Sequence, residues 1–179
     1  MIEHDDCRLI DRCKTGDRGA FEEMVGQFQH IVFRVGFRLL GSRAEAEDVT
    51  QTVFMRVAER LEEYNPKHKL FSWIYRIAVN EALNRRRDAK TLEQIDEDRI
   101  VGGTAADELY IQHETSTGIQ DALMKLSEDY RTVVILRHFE DLSYGEIAGV
   151  LSIPEKTVKS RLFSARQQLR SILLPTVLS

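Results

Sequence analysis

Residues 142–162 read LSYGEIAGVLSIPEKTVKSRL, and the fold is decided there. Ser143 and Glu146 have the spacing of a capping box, in which the hydroxyl takes an N–H of the first turn and the carboxylate reaches back to the cap. The helix they open ends near Leu151. Ser152-Ile153-Pro154 is a tight connection, and proline suits a helix start because its missing N–H has no partner there anyway. Val158, Leu162, Ala165 and Leu169 then share one helix face. Two helices joined by so short a turn, the second the longer, form the pattern of a helix-turn-helix. Gly145 and Gly149 weaken the first of them, so tertiary packing has to supply the difference.

The second helix has the charge of a nucleic-acid reader. From Lys156 to Arg170 it carries Lys156, Lys159, Arg161, Arg166 and Arg170 and no acid. With Val158, Leu162 and Leu169 turned inward, Lys156, Lys159, Ser160, Phe163, Ser164 and Gln167 fall outward. Long donors on such a face can read base edges in the major groove while others hold phosphates. A solvated basic face, favoured by the dipole of a C-terminal helix, is the alternative. The capped helix and proline-bounded turn ahead of it favour DNA.

Upstream, apolar residues recur at steps of three and four. Phe21, Met24, Val25, Phe28, Ile31, Val32, Val35 and Leu39 form one stripe, and Gly41 is placed as a C′ glycine. Ser42 and Glu45 repeat the capping-box spacing before Ala46, Val49, Val53, Val57 and Leu61. A third helix spans about Phe71 to Arg87, with a shorter one before Gly16. Downstream, Ile119 to Leu126 and Tyr130 to His138 are two further helical patterns.

Charge divides the chain. Residues 1–90 hold 16 basic and 15 acidic groups, and residues 119–179 hold 8 and 7. Residues 91–118 hold Arg99 against seven carboxylates, among Gly102-Gly103-Thr104 and Ser116-Thr117-Gly118. The expected fold is therefore all-α: an N-terminal helical bundle (1–90) and a C-terminal helix-turn-helix domain (119–179), joined by an acidic flexible linker (91–118).

Composition excludes several classes. Apolar runs fall far short of the roughly 20 residues that cross a bilayer. The acidic start Met1-Ile2-Glu3-His4-Asp5-Asp6 is not a secretory signal. Cys7 and Cys13 make no disulfide framework, which suits a reducing cytoplasm. His4 and Cys7 lack a second pair for a metal site, and no phosphate-cradling glycine loop or HExxH occurs. The expectation is a cytoplasmic protein without membrane insertion, metal, cofactor or catalysis.

A second constellation lies between residues 64 and 87. Tyr64, Phe71, Trp73 and Tyr75 interleave with Lys67, His68, Lys69, Arg76, Arg85, Arg86 and Arg87. Aromatic faces stack on unpaired bases while cations neutralise the backbone, so the mixture suits single-stranded nucleic acid. Trp73 shares a face with Ile77 and is equally readable as core. Asn80 lies further along the helix, where its amide could meet a base edge or solvent.

Taken together, these segments resemble the extracytoplasmic-function (ECF) sigma factors of bacterial RNA polymerase, of the sigma-70 family. Residues 46–54, AEDVTQTVF, are similar to the family's AEDLTQEVF signature. Residues 71–80, FSWIYRIAVN, are similar to its F-x-x-WLYRIAxN segment, and residues 142–162 resemble its region 4 helix-turn-helix. The resemblance is collinear and covers essentially the whole chain. It implies a factor that directs core polymerase to promoters of a stress- or signal-responsive regulon.

The same resemblance implies roles by position. Asp48, Gln51, Phe54 and Arg56 would meet core polymerase, chiefly the clamp helices of β′, with β also a partner; Phe54 is equally readable as core. Lys67, Lys69, Phe71, Trp73, Tyr75, Arg76, Asn80, Arg85 and Arg86 would recognise and melt the −10 element. Lys156, Thr157, Lys159, Ser160, Arg161, Phe163, Ser164 and Arg166 would read the −35 element. An anti-sigma factor is an implied partner, and the acidic linker would thread polymerase channels as a phosphate mimic. Lys156 stands where many members have Gly, Ser164 where many have Arg, and Thr52 where Glu is usual. Two rivals remain: a helix-turn-helix regulator, which needs a sensor or receiver half, and a helical adaptor that binds no DNA.

Overall fold

The computed structural model describes the backbone of residues 2–93 and 117–177 and the side chains of residues 6–89 and 118–173. Every regular element among them is helical. In chain order these are α1 (Ile2–Lys14), α2 (Arg18–Leu40), α3 (Arg43–Glu59), a 3-10 turn (Leu61–Glu63), α4 (Leu70–Glu93), α5 (Thr117–Met124), α6 (Glu128–His138), α7 (Tyr144–Leu151) and α8 (Glu155–Val177). The all-α architecture expected from periodicity is the one observed. The acidic stretch lies almost wholly outside the described residues, as do the tail side chains beyond Leu173.

Local chemistry sets the boundaries. Asp17 caps α2, its Oδ1 accepting from the Ala20 N–H at 3.1 Å. Gly41 ends α2 at φ 77°, donating its N–H to the Phe37 carbonyl at 2.7 Å. A Cβ there would lie 3.0 Å from Met124 Sδ, so the glycine serves both the left-handed turn and the approach of α5. Ser42 Oγ accepts from the Glu45 N–H at 3.4 Å. At α7 the box is complete: Ser143 Oγ accepts from the Glu146 N–H at 3.2 Å, and Glu146 Oε2 accepts from the Ser143 N–H at 2.9 Å. Helix α4 continues past Arg87 to Glu93, because no glycine or proline interrupts that stretch.

Helices α1–α4 wrap one apolar centre containing Ile10, Met24, Val32, Val53, Leu70 and Ile74. Leu123, Ile135, Ile147 and Leu162 form the centre of α5–α8. The two groups meet where α5 and α6 pack on the C-terminal part of α2 and α7 packs on α4. Arg131, fully buried, stands at that junction. Its guanidinium donates to the carbonyls of Leu123 (2.7 Å), Met124 (2.7 Å) and Leu126 (2.9 Å) and, across the junction, to that of Leu39 (2.7 Å). Helix C-termini leave carbonyls without intrahelical partners and carry partial negative charge, so this cation answers the ends of α5 and α2 together.

Candidate nucleic-acid and polymerase interfaces

Helix α3 presents polar side chains on one face and buries Ala46, Val49, Val53 and Val57 on the other. Asp48 and Gln51 are exposed on that outer face. Asp48 Oδ2 is 2.7 Å from Arg85 Nη2 of α4, and Arg56 Nε is 2.7 Å from Glu81 Oε2. Phe54 is 7% exposed and belongs to the core, whereas its neighbour Met55 is 64% exposed. The apolar side chain that this face offers a partner is therefore Met55, which sequence reasoning missed. Period 3.6 does carry the signal: Phe54 follows Val53 on the inner arc and precedes Val57 by three, while Met55 lies four beyond Gln51.

The second site is a groove of about 650 Å³ between the end of α3, the loop through His68 and the face of α4. Tyr64 holds the loop by donating its hydroxyl to the His68 carbonyl at 2.8 Å, and the Asn65 side chain accepts from the Lys67 N–H at 3.0 Å. Trp73 packs against Tyr64 with ring centroids 5.5 Å apart. It is half-buried, with one part in the core and the rest lining the groove. Arg76, Ile77, Asn80, Asn84 and Arg87 continue that wall along α4. An aromatic ring followed by amides and guanidiniums suits an unstacked base and its phosphate.

Asn84 was missed as a wall residue, although it lies on the Trp73 face of α4 at steps of three and four, as does Arg87, a cation already read into this constellation; Arg60, at the end of α3, was missed on the opposite side of the groove. Lys67 and Lys69 are exposed on the loop, Lys69 Nζ 5.4 Å from the Phe71 ring centroid. Tyr75 points away from the groove. It is 7% exposed and donates its hydroxyl to Glu140 Oε2 at 2.8 Å. Burial first, then the Glu140 charge, push this phenol well above its ordinary range, so it remains a donor at any physiological pH. Arg86 also turns inward, donating to the Leu39 carbonyl at 3.0 Å and lying 3.2 Å from Glu128 Oε1.

The third site is the outer face of α8. Lys156, Lys159, Ser160, Phe163 and Arg166 are exposed, Thr157, Arg161 and Ser164 half-buried. Phe163 is 64% exposed, too open for a core residue. Lys159 Nζ is 2.7 Å from Glu155 Oε1, a hydrogen bond that raises the ammonium pKa, and Arg161 Nη2 is 2.7 Å from Asp129 Oδ2. Both are exchangeable surface pairs that a phosphate can displace. Val158, Leu162 and Ala165 anchor the opposite face, holding this side outward.

Among the described residues no group of His, Cys, Asp and Glu could hold a metal ion, and no helix is long and apolar enough to cross a membrane. A helix-turn-helix with a basic outer face, behind a helical bundle with an aromatic and amide groove, suits a two-part DNA-binding protein. Two family models match these parts: sigma-70 region 2 over residues 24–91 and sigma-70 region 4 over residues 117–169. The ECF RNA polymerase sigma factor SigW of Bacillus subtilis is 31% identical over 178 residues, covering 93% of this chain and 95% of its own length. The ECF sigma factor SigE of Mycolicibacterium smegmatis is 37% identical over 168 residues, 89% of this chain and 65% of its own. A solved complex of the sigma factor RpoE with the anti-sigma factor NepR from Bartonella quintana shares the fold. It does so at TM-score 0.73 and 22% identity, covering 86% of this chain and 96% of that one. The chain belongs to the ECF sigma factors of the sigma-70 family. That family is one of transcription initiation factors rather than enzymes.

Proposed function

We propose that this chain carries core RNA polymerase to promoters by reading two DNA elements with its two halves. In this reading residues 1–90 form region 2, residues 91–118 a linker and residues 119–179 region 4. The α3 face with Asp48, Gln51, Met55 and Arg56 docks on the β′ clamp, with β as a further contact. The groove walled by Trp73, Arg76 and Asn80 captures a base swung out of the −10 element. Swinging a base out requires a few kcal/mol, which a preformed stacking wall returns. Helix α8 lies in the −35 major groove, with Phe163 against a base methyl or sugar and Lys156, Lys159 and Arg166 on phosphates. The seven carboxylates of residues 91–118 take the place of a phosphate backbone in the polymerase. An anti-sigma factor holds the chain inactive in the cytoplasm, a partnership named for the neighbouring fold from Bartonella quintana.

The observation that carries this reading is the pairing, in one chain, of the half-exposed Trp73 groove with the exposed cationic face of α8. Run-off transcription with sigma-free polymerase on genomic fragments tests it. New transcripts from fixed start sites are the expected result, and their alignment gives both elements. Absence of any transcript, with no co-migration of chain and polymerase, overturns it.

A further inference from the structure

Glu155 is the one acid in the sequence of α8, and it opens the helix that reads the −35 duplex in the function proposed above. A helix laid in the major groove meets base edges with its N-terminal residues. The Glu155 side chain is 49% exposed, and Lys159 Nζ reaches its Oε1 at 2.7 Å. Oε2 lies toward the start of α7, where a Cβ on Gly145 would come within 3.9 Å of it. Gly145 has no left-handed backbone to require a glycine, and a glycine inside a helix costs stability. Its missing side chain leaves Oε2 uncovered. An acid in the first turn suits the helix dipole, but the dipole does not account for that open flank.

The chemistry of the groove then limits what this oxygen can meet. A carboxylate only accepts hydrogen bonds. The donors that bases present in the major groove are the amino groups of cytosine and adenine. Guanine offers the acceptors O6 and N7, and thymine offers O4 and a methyl, so both reject an anion. Adenine places its N7 acceptor beside the amino group, where it opposes a carboxylate oxygen; cytosine has a C–H there. Lys159 keeps the acid from being repelled by the backbone. Its ammonium has three donors and can hold Oε1 and a phosphate together.

We propose that Glu155 is a specificity-determining residue for the −35 duplex: Oε2 accepts from the N4 amino group of a cytosine and rejects guanine and thymine at that position, while Lys159 holds Oε1. The inference rests on the promoter-reading function above. Exclusion matters here as much as attraction, because a wrong base sets two acceptors against each other with no donor between them. The cations of α8 draw the helix to any duplex, and the single acid discriminates among sequences.

The test uses the full chain with core polymerase and a pool of promoter fragments randomised through the −35 element; sequencing the bound fraction reads the preference base by base. With the unaltered chain, one position is expected to favour cytosine over guanine about tenfold, the strength of one good base contact. Glu155→Gln supplies a donor beside the acceptor, the pattern that suits adenine, so the preference at that position moves from cytosine to adenine. Glu155→Ala flattens that position and leaves the others as they were. Both variants keep their fold, checked by circular dichroism, because the side chain is exposed. If Glu155 only occupies Lys159, Glu155→Ala frees the ammonium for phosphate and strengthens binding to all sequences alike. That result, or one base profile shared by the unaltered chain and both variants, overturns the proposal. Failure of the promoter reading looks different: the unaltered chain then selects no element and yields no run-off transcript.

Discussion

Arg131 is the residue on which both halves depend, and a basic side chain in a helical pattern gave no hint of it. Its carbonyl partners belong to three different segments, so no spacing rule along one helix could find them. Replacing it with Met keeps the volume but removes four hydrogen bonds donated by one buried cation, each contributing about 1 kcal/mol or more. Denaturant titration of Arg131→Met is expected to show a loss of at least about 3 kcal/mol, and Arg131→Lys recovers little because an ammonium cannot span the fork. A loss under about 1 kcal/mol would falsify the role. Phe54 and Met55 give the contrasting pair. Phe54→Ala opens a core cavity and loses about 3 kcal/mol of stability. Met55→Ala leaves stability within about 0.5 kcal/mol and weakens polymerase capture, because its exposed side chain has nothing in the fold to lose. Unfolding curves and polymerase pull-down titrations separate the two.

At the scale of the element, α7 has a weak sequence and a strong cap. Ser143→Ala removes the acceptor of the Glu146 N–H and is expected to destabilise the C-terminal half by about 1 kcal/mol. The Glu146 carboxyl is held below its ordinary value, first by the Ser143 N–H and then by Lys69. A lowered folded pKa contributes stability above the unfolded value of 4.5 and loses it as pH falls through the folded one. The melting temperatures of the unaltered chain and Glu146→Gln should therefore differ near neutrality and converge in acid; a gap that persists at low pH rules out this account. On α8, Phe163→Ala should leave the melting temperature unchanged while weakening binding to −35 duplex, since the ring is exposed. Lys156→Ala should weaken binding across sequences and lower the salt slope by about one.

For the whole molecule, the junction through Leu39, Arg131 and Glu140 joins the two halves beside a hydrophobic core that runs through both, and unfolding as one cooperative unit is the expected consequence. Trp73, the single tryptophan, reports on the N-terminal half alone, whereas helicity reports on both. Urea unfolding followed by fluorescence and by circular dichroism should coincide in the unaltered chain. In Glu140→Gln the two curves should separate, and coincidence there would mean that the junction holds without its carboxylate.

The sequence alone determined the helices, their caps and the family. Periodicity, Gly41, the box at Ser143 and Pro154 act within a few residues of one another, where the chain's own geometry decides. It also marked the faces of α4 and α8, because side chains three and four apart must share a side. Tertiary structure decided which of those side chains remain available. Tyr75 and Arg86 read as DNA contacts from composition, yet they turn toward Glu140 and Leu39, residues 65 and 47 positions away in the chain. Lys69 and Arg76 meet α7 for the same reason. Partnerships at that separation follow from how two independently legible halves dock, and docking is set by the shape and charge of whole surfaces rather than by any local pattern.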